Sequence, residues 1–241
     1  MDTELVSVQT QKFYARVLEV LNTNKLPYLV GGTYALTFYT DIKRPTKDLD
    51  LFCTASDYQT ILKTLTDQGY TCEITDARWL AKITKGKNFI DLIFGNINNM
   101  IPVEKEWFTH APEKKLFDIS VKLVPCEEMI FSKSFRGERE KYDGADVNHL
   151  LLKQGTTLNW QHLLSLMDAY WEILLSHLLI FRFIYPSERD LVPKSIMEEL
   201  LSRAKQQLEM PTPKEKVSRG NLLSRTQYEV DIAEWGYQAI S

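Results

Sequence analysis

The sequence predicts an α/β or α+β fold for the first half of the chain and a helical second half. Up to about residue 125, short apolar runs of strand length alternate with segments of helical periodicity. Beyond that point apolar residues recur at helical spacing alone. This order is typical of a sheet covered by helices and followed by a helical unit, so we expect one domain over 1–125 and a second over 126–241.

The first domain is predicted to start with a helix and to continue with strands and helices in alternation. The predicted elements are a helix over 5–23, a strand over 28–30, a helix from about Thr33, a strand over 48–52, a helix from Ser56 or Asp57 to Gly69, and strands over 70–74, 79–84 and 89–94. Residues 85–88, Lys-Gly-Lys-Asn, separate the last two strands as a hairpin turn would. Residues 95–115 are irregular and predict a long loop with a short strand, before a last strand over 120–124.

The second domain is predicted to consist of helices and a basic tail. Pro125 precedes the first helix, whose first turn holds two glutamates that favour a helix N-terminus. The predicted helices span 126–136, 143–153, 159–184 and 193–209. In the tail after Met210, an alternation typical of a terminal strand is formed by Tyr228, Val230 and Ile232.

The composition narrows the class of protein. The chain of 241 residues has 44% hydrophobic and 25% charged residues, which is typical of a globular protein, and its net charge of −3 argues against a plain RNA-binding module. Three cysteines without a close pair predict reduced thiols and a cytoplasmic location. No signal peptide is evident, and charged residues interrupt the most apolar region, 163–184, so we expect a buried helix there and no membrane span.

A glycine pair ends the first predicted strand. The run Tyr28-Leu29-Val30 leads directly into Gly31-Gly32-Thr33. Glycines let the backbone turn tightly and lie close to a ligand, and the free amides of a helix that starts near Thr33 would favour a phosphate. The alternative is a plain strand-to-helix turn.

Two carboxylates alternate along the strand predicted over 48–52. Asp48 and Asp50 share one face, roughly 6.6 Å apart along an extended strand, while Leu49 and Leu51 face a core. Two such carboxylates repel each other unless a cation lies between them, and a hard divalent ion such as Mg²⁺ suits oxygen ligands. The alternative is a pair of solvated acids on a half-exposed strand.

Together, Gly-Gly-Thr at 31–33, a helix and Asp-Leu-Asp-Leu-Phe at 48–52 resemble the signature of the polymerase-beta-like nucleotidyltransferase superfamily. The nearer resemblance is to its minimal bacterial and archaeal branches, which include the toxin-type enzymes of abortive-infection systems. It implies a mixed sheet flanked by helices and a third carboxylate on a later strand, which Asp91 in Phe89-Ile90-Asp91 matches. Taken alone, Asp91 would also suit the surface of an edge strand.

The same resemblance implies roles for further residues. Asp48, Asp50 and Asp91 would hold one or two Mg²⁺ ions, with Mn²⁺ as a substitute, while Gly31, Gly32 and Thr33 would bind the nucleotide. Arg44, just before the acids, would contact the triphosphate, unless it belongs to a solvated basic loop. Lys133 would neutralise a phosphate. The spacing that the family shows after this lysine is matched by Arg139, Asp143 and Asp146. The alternative interpretation of these three residues is a salt-bridged helix start.

The function implied is transfer of a nucleoside monophosphate from a nucleoside triphosphate to an acceptor hydroxyl, with release of pyrophosphate. Residues 1–125 would be the catalytic domain, and 126–241 would bind the acceptor. A transfer-RNA end, a protein side chain and a small molecule all suit this chemistry as acceptors. The alternative is an inactive nucleotidyltransferase fold that binds a nucleotide or a partner, as in a toxin–antitoxin pair. The presence of all three acids favours the active enzyme.

Overall fold

The computed structural model describes residues 6–95 and 103–240. The chain divides into two units, with the boundary between Pro125 and Cys126. A mixed sheet with helices forms the first unit, and helices dominate the second. The predicted fold class is therefore confirmed.

A five-stranded sheet lies at the centre of the first unit. Its strands are β1 Leu29–Val30, β2 Asp50–Phe52, β3 Thr71–Asp76, β4 Leu80–Lys85 and β5 Asn88–Ile93. They lie in the order β1-β2-β5-β4-β3, and all neighbours are antiparallel except β2 and β5, which run parallel. A separate hairpin is formed by β6 Glu113–Leu116 and β7 Ile119–Lys122. The predicted turn over 85–88 joins β4 to β5, so the predicted hairpin is confirmed.

Helices of the first unit pack on this sheet through apolar faces. They are α1 Val8–Thr23, α2 Gly32–Thr40, α3 Tyr58–Asp67 and α4 Lys105–His110. The N-terminus of α1 is capped by Ser7, whose hydroxyl accepts a hydrogen bond from the Thr10 amide at 3.2 Å. One stripe of α1 enters the core, because its buried residues recur at helical spacing: Phe13, Tyr14, Val17, Leu18 and Leu21. The same core contains Leu51, which lies on β2, and Leu49, which lies just before β2.

The second unit contains six α-helices within the described residues. They are α5 Cys126–Ser134, α6 Gly144–Gln154, α7 Trp160–Leu166, α8 Trp171–Ile184, α9 Lys194–Leu208 and α10 Glu229–Ala233. Short 3₁₀ helices occupy Asp168–Tyr170, Pro186–Leu191 and Gly220–Leu222. In the tail, β8 Val217–Ser218 pairs with β9 Gln238–Ala239 in parallel, so the unit is helical apart from this two-residue pair.

Three sequence predictions were wrong in detail. The terminal strand at 228–232 is the helix α10, in which the Glu234 amide donates to the Val230 carbonyl at 2.9 Å. Local hydrogen bonds satisfy that backbone, and apolar alternation over five residues does not separate helix from strand. The irregular stretch 95–115 contains the unpredicted helix α4, which buries Trp107; residues 96–102 lie outside the described part.

The long helix predicted over 159–184 is broken at the 3₁₀ turn Asp168–Tyr170 into α7 and α8. Its expected burial is only half correct, because α8 buries Leu178 and Phe181 while its outer face leaves Phe183 86% exposed. Within the described residues, no single helix has the length and apolar composition of a membrane span. One pair, Trp160–Leu166 with Asp168–Ile184, meets those two criteria only when its members are taken together across a 71° bend.

We expect Leu51→Ala to lower the free energy of unfolding by about 2–5 kcal/mol, because the substitution leaves a cavity in a packed core. Leu51 is 0% exposed on β2, which has a neighbouring strand on each side. Urea unfolding followed by circular dichroism measures this change. Leu208→Ala is the matched control, since Leu208 is 83% exposed, and its effect should stay within about 0.5 kcal/mol. Equal losses in the two variants would contradict the assigned core.

Candidate active site

The turn between β1 and α2 brings backbone close to an acidic side chain. The Gly31 amide donates a hydrogen bond to the Asp50 carbonyl at 2.9 Å. Gly32 has φ +54°, and a Cβ at this position would overlap the Asp50 carboxylate. A Cβ at Gly31 would overlap the ring of Phe52. Both glycines are therefore required for the N-terminus of α2 to lie against β2.

The N-terminus of α2 is suited to an anion. The helix begins at Gly32, and among the described residues no side chain caps it. Its first-turn amides carry partial positive charge, which favours a phosphate group. Thr33 lies in this first turn and is half-buried. The structure thus places the predicted glycine turn beside Asp50 and Thr33 in the helical turn that follows.

Three carboxylates converge next to this turn. β2 and β5 run parallel with Asp50 directly opposite Asp91, and Asp48 lies two residues before Asp50, just ahead of the strand. One carboxylate oxygen from each of the three lies within 4.8 Å of the others, and all three side chains are half-buried. The Thr46 hydroxyl donates to Asp48 Oδ1 at 2.9 Å and orients that side chain.

The donor set fits a hard divalent cation. Carboxylate oxygens are the ligands that Mg²⁺ and Mn²⁺ prefer, whereas zinc sites are built mainly on His nitrogen and Cys sulfur. Three negative charges at this separation repel one another, so a bound cation would relieve the repulsion. The three acids that the sequence analysis selected thus lie close enough together to share one cation.

The surroundings of the cluster shift the pKa of two side chains, those of Asp91 and Tyr14. Burial raises the pKa of Asp91; the nearby Lys82 ammonium opposes this rise, and the charge of Asp48 adds to it. Lys82 Nζ lies 3.5 Å from Asp91 Oδ1. Burial also holds the pKa of Tyr14 far above its usual range, with further contributions from the three carboxylates. The Tyr14 hydroxyl therefore stays protonated beside the cluster at neutral pH.

Sequence reasoning missed Lys82 and Tyr14 as neighbours of the site. The pairing of Lys82 with Asp91 could have been predicted, because a hairpin whose turn pairs Lys85 with Asn88 also pairs these two residues. Tyr14 carries no comparable signal, since it sits in the apolar stripe of α1 among ordinary core residues.

Two further predicted residues, Arg44 and Lys133, lie on other elements of the chain. Arg44 is exposed in the connection between α2 and β2. Lys133 lies on α5 in the second unit, where its ammonium contacts Asp146 at 2.7 Å and Asp143 at 3.1 Å. The alternative of a salt-bridged helix start thus describes Asp143 and Asp146, with Lys133 rather than Arg139 as their cation. The nucleotide-binding roles of Arg44 and Lys133 stay predictions.

The fold and the three carboxylates fit a nucleotidyltransferase. The chain belongs to the family described as "Nucleotidyl transferase of unknown function (DUF2204)", whose family model matches residues 10–172. The resemblance to nucleotidyltransferases is thereby confirmed, whereas membership of the toxin-type branch stays a prediction. A comparison with the sequences of curated proteins gives no match.

Several solved structures are similar to this chain at low identity. The lincomycin-bound lincosamide antibiotic adenylyltransferase LnuA is 18% identical with a TM-score of 0.43, and the match covers 61% of this chain and 98% of that one. The antibiotic-resistance factor ANT(2'')-Ia is 17% identical with a TM-score of 0.49, over 73% and 96%. JHP933 from Helicobacter pylori is 14% identical with a TM-score of 0.38, over 95% and 99%.

We expect Gly32→Ala to reduce both stability and divalent-cation binding, because the new Cβ forces the Asp50 carboxylate away from the cluster. Mn²⁺ binding followed by electron paramagnetic resonance and the thermal unfolding midpoint measure the two effects. Gly69→Ala is the matched control, since Gly69 also has positive φ, +80°, but a Cβ there meets no atom within 4 Å. The control should lose about 1–2 kcal/mol of stability from backbone strain and keep its cation affinity. Normal Mn²⁺ binding in Gly32→Ala would contradict the assigned geometry.

Proposed function

We propose that this nucleotidyltransferase transfers a nucleoside monophosphate from a nucleoside triphosphate to an acceptor hydroxyl in a metal-dependent reaction. One observation carries the proposal: carboxylate oxygens of Asp48, Asp50 and Asp91 lie within 4.8 Å of one another. The uncapped N-terminus of α2 supports the second requirement, a place for the negatively charged triphosphate. Family membership supports the reaction class.

In this reaction the acceptor oxygen attacks the α-phosphorus, and the bond from that phosphorus to the bridging oxygen of the β-phosphate breaks. Pyrophosphate leaves, and the proton of the hydroxyl passes to a base. Asp48, Asp50 and Asp91 would hold Mg²⁺, which when bound offsets the negative charge on the triphosphate and on the leaving group. Asp91 is the carboxylate that we assign to the acceptor side, as the base. The first-turn amides of α2 orient the phosphates, and this positioning supplies much of the rate.

We assign the acceptor to the second unit. A cavity of about 350 Å³ lies within that unit. Aromatic and aliphatic side chains form most of its wall, including Phe135, Tyr170 and Leu222, and Arg219 and Glu172 add two charged groups. A cavity of this size and chemistry suits a small amphipathic molecule. This feature favours a small hydroxylated compound among the three acceptor classes.

Asp48→Asn and Asp50→Asn should each reduce turnover by about 10²–10³-fold or more, because the amide keeps the shape of the side chain and removes its charge. Release of pyrophosphate from each labelled triphosphate, in the presence of a cell lysate and Mg²⁺, measures turnover. A chelator should stop the wild-type reaction. Asp67→Asn is the matched control, since Asp67 is an exposed acid at the end of α3 and should leave turnover unchanged.

The labelled fraction of the lysate identifies the acceptor as RNA, protein or small molecule. Label in the small-molecule fraction supports the assignment made from the cavity, and label confined to RNA or protein contradicts it. Triphosphate binding without pyrophosphate release under every condition would contradict the enzymatic proposal and support a nucleotide-binding protein without turnover.

A further inference from the structure

A lysine occupies the position next to the third carboxylate. β4 and β5 are antiparallel, and Lys82 is the direct partner of Asp91 across the pair, so both side chains lie on one face of the sheet. The Lys82 ammonium lies 3.5 Å from Asp91 Oδ1. It also lies 4.4 Å from the ring centroid of Phe89, which precedes Asp91 by two residues on the same strand face.

These two contacts determine where the ammonium lies. A cation over an aromatic face and a cation beside a carboxylate are both favourable, so Phe89 and Asp91 hold the lysine from two sides. The lysine therefore lies at the edge of a cluster of three negative side chains. Its charge compensates part of their mutual repulsion when no other cation is bound.

We propose that Lys82 is the counter-ion of Asp91 in the metal-free protein and that a divalent cation has to displace its ammonium in order to bind. The proposal rests on the proposed function in one respect, namely that the acidic cluster binds a divalent cation. Two cations beside the same carboxylate repel each other. Lys82 thus lowers the affinity of the cluster for metal and keeps the carboxylates close together before metal arrives.

The solvent exposure of Lys82 and Asp91 determines how much their attraction changes the metal affinity. The side chain of Lys82 is 37% exposed and that of Asp91 is 17% exposed, so solvent weakens the attraction considerably. Ion pairs of this kind correspond to changes of about two- to fivefold in an equilibrium constant. The expected gain in metal affinity on removal of the charge is therefore about two- to fivefold.

The test compares Lys82→Met with wild type in the full-length protein, without nucleotide. Met keeps the length and the apolar stem of lysine and removes the charge. Mn²⁺ titration followed by electron paramagnetic resonance should show about two- to fivefold tighter binding in Lys82→Met. Lys85→Met is the matched control, since Lys85 lies on the same strand with its ammonium 4.9 Å from the ring centroid of Tyr70, and it should bind Mn²⁺ as wild type does.

Thermal unfolding is the second measurement, and it tests the proposal where Mn²⁺ binding is too weak to titrate. Without metal, Lys82→Met should unfold at a lower temperature than Lys85→Met, because Asp91 lacks its counter-ion. Added Mn²⁺ should then raise the unfolding temperature of Lys82→Met more than that of wild type. Lys82→Arg, which keeps the charge, should behave like wild type in both measurements. Equal or weaker Mn²⁺ affinity in Lys82→Met, or no response of its unfolding temperature to Mn²⁺, overturns the proposal.

Asp48→Asn, titrated in parallel, separates this inference from the proposed function. Equal Mn²⁺ binding by Asp48→Asn and wild type means that the acidic cluster is not the metal site, and both proposals fall. Loss of Mn²⁺ binding in Asp48→Asn without any gain in Lys82→Met keeps the metal site and removes only the role of Lys82.

Discussion

The parallel pairing of β2 with β5 is the constraint on which the candidate site depends. The Asp91 amide donates to the Leu49 carbonyl at 3.0 Å, and the Cys53 amide donates to the Ile93 carbonyl at 2.9 Å. These hydrogen bonds fix the register that places Asp50 opposite Asp91. Since side chains alternate along a strand, a shift by one residue would move one acid to the apolar face of the sheet. The backbone ladder, rather than any contact between the acids, therefore brings them together.

Burial on the other face makes that register the stable one. Leu49, Leu51 and Leu92 alternate with the acids and are 0% exposed. Each buried leucine side chain contributes about 1.5–3 kcal/mol relative to an exposed one, so the slipped register would lose several such contributions. The like charges of the cluster oppose the native register, but the acids are only half-buried, and solvent weakens their repulsion. The apolar term is the larger one.

The parts of this architecture that the sequence predicts are those with local causes. Periodicity located most helices and strands, alternation placed Asp48 and Asp50 on one face, and two glycines marked the turn that approaches them. Features that depend on tertiary contacts could not be predicted from the sequence. The break between α7 and α8 has no proline or glycine to mark it. Tyr14 lies beside the acids because α1 crosses the sheet there, and its position in a plain apolar stripe gives no sign of this.

The candidate site differs from metal sites that fold only around their ion, because the fold itself holds its carboxylates in place. In such sites few other contacts hold together the segments that carry the ligands, and part of the free energy of metal binding drives folding. Here the carboxylates are carried by a sheet with its own core, Asp48 is oriented by Thr46, and Asp91 is paired with Lys82. Folding of this sheet therefore does not require a metal, and in the reaction that we propose the free energy of cation binding is left for holding a triphosphate. The role that we propose for Lys82, which weakens metal binding, is compatible with this arrangement, because the fold does not depend on a permanently bound ion.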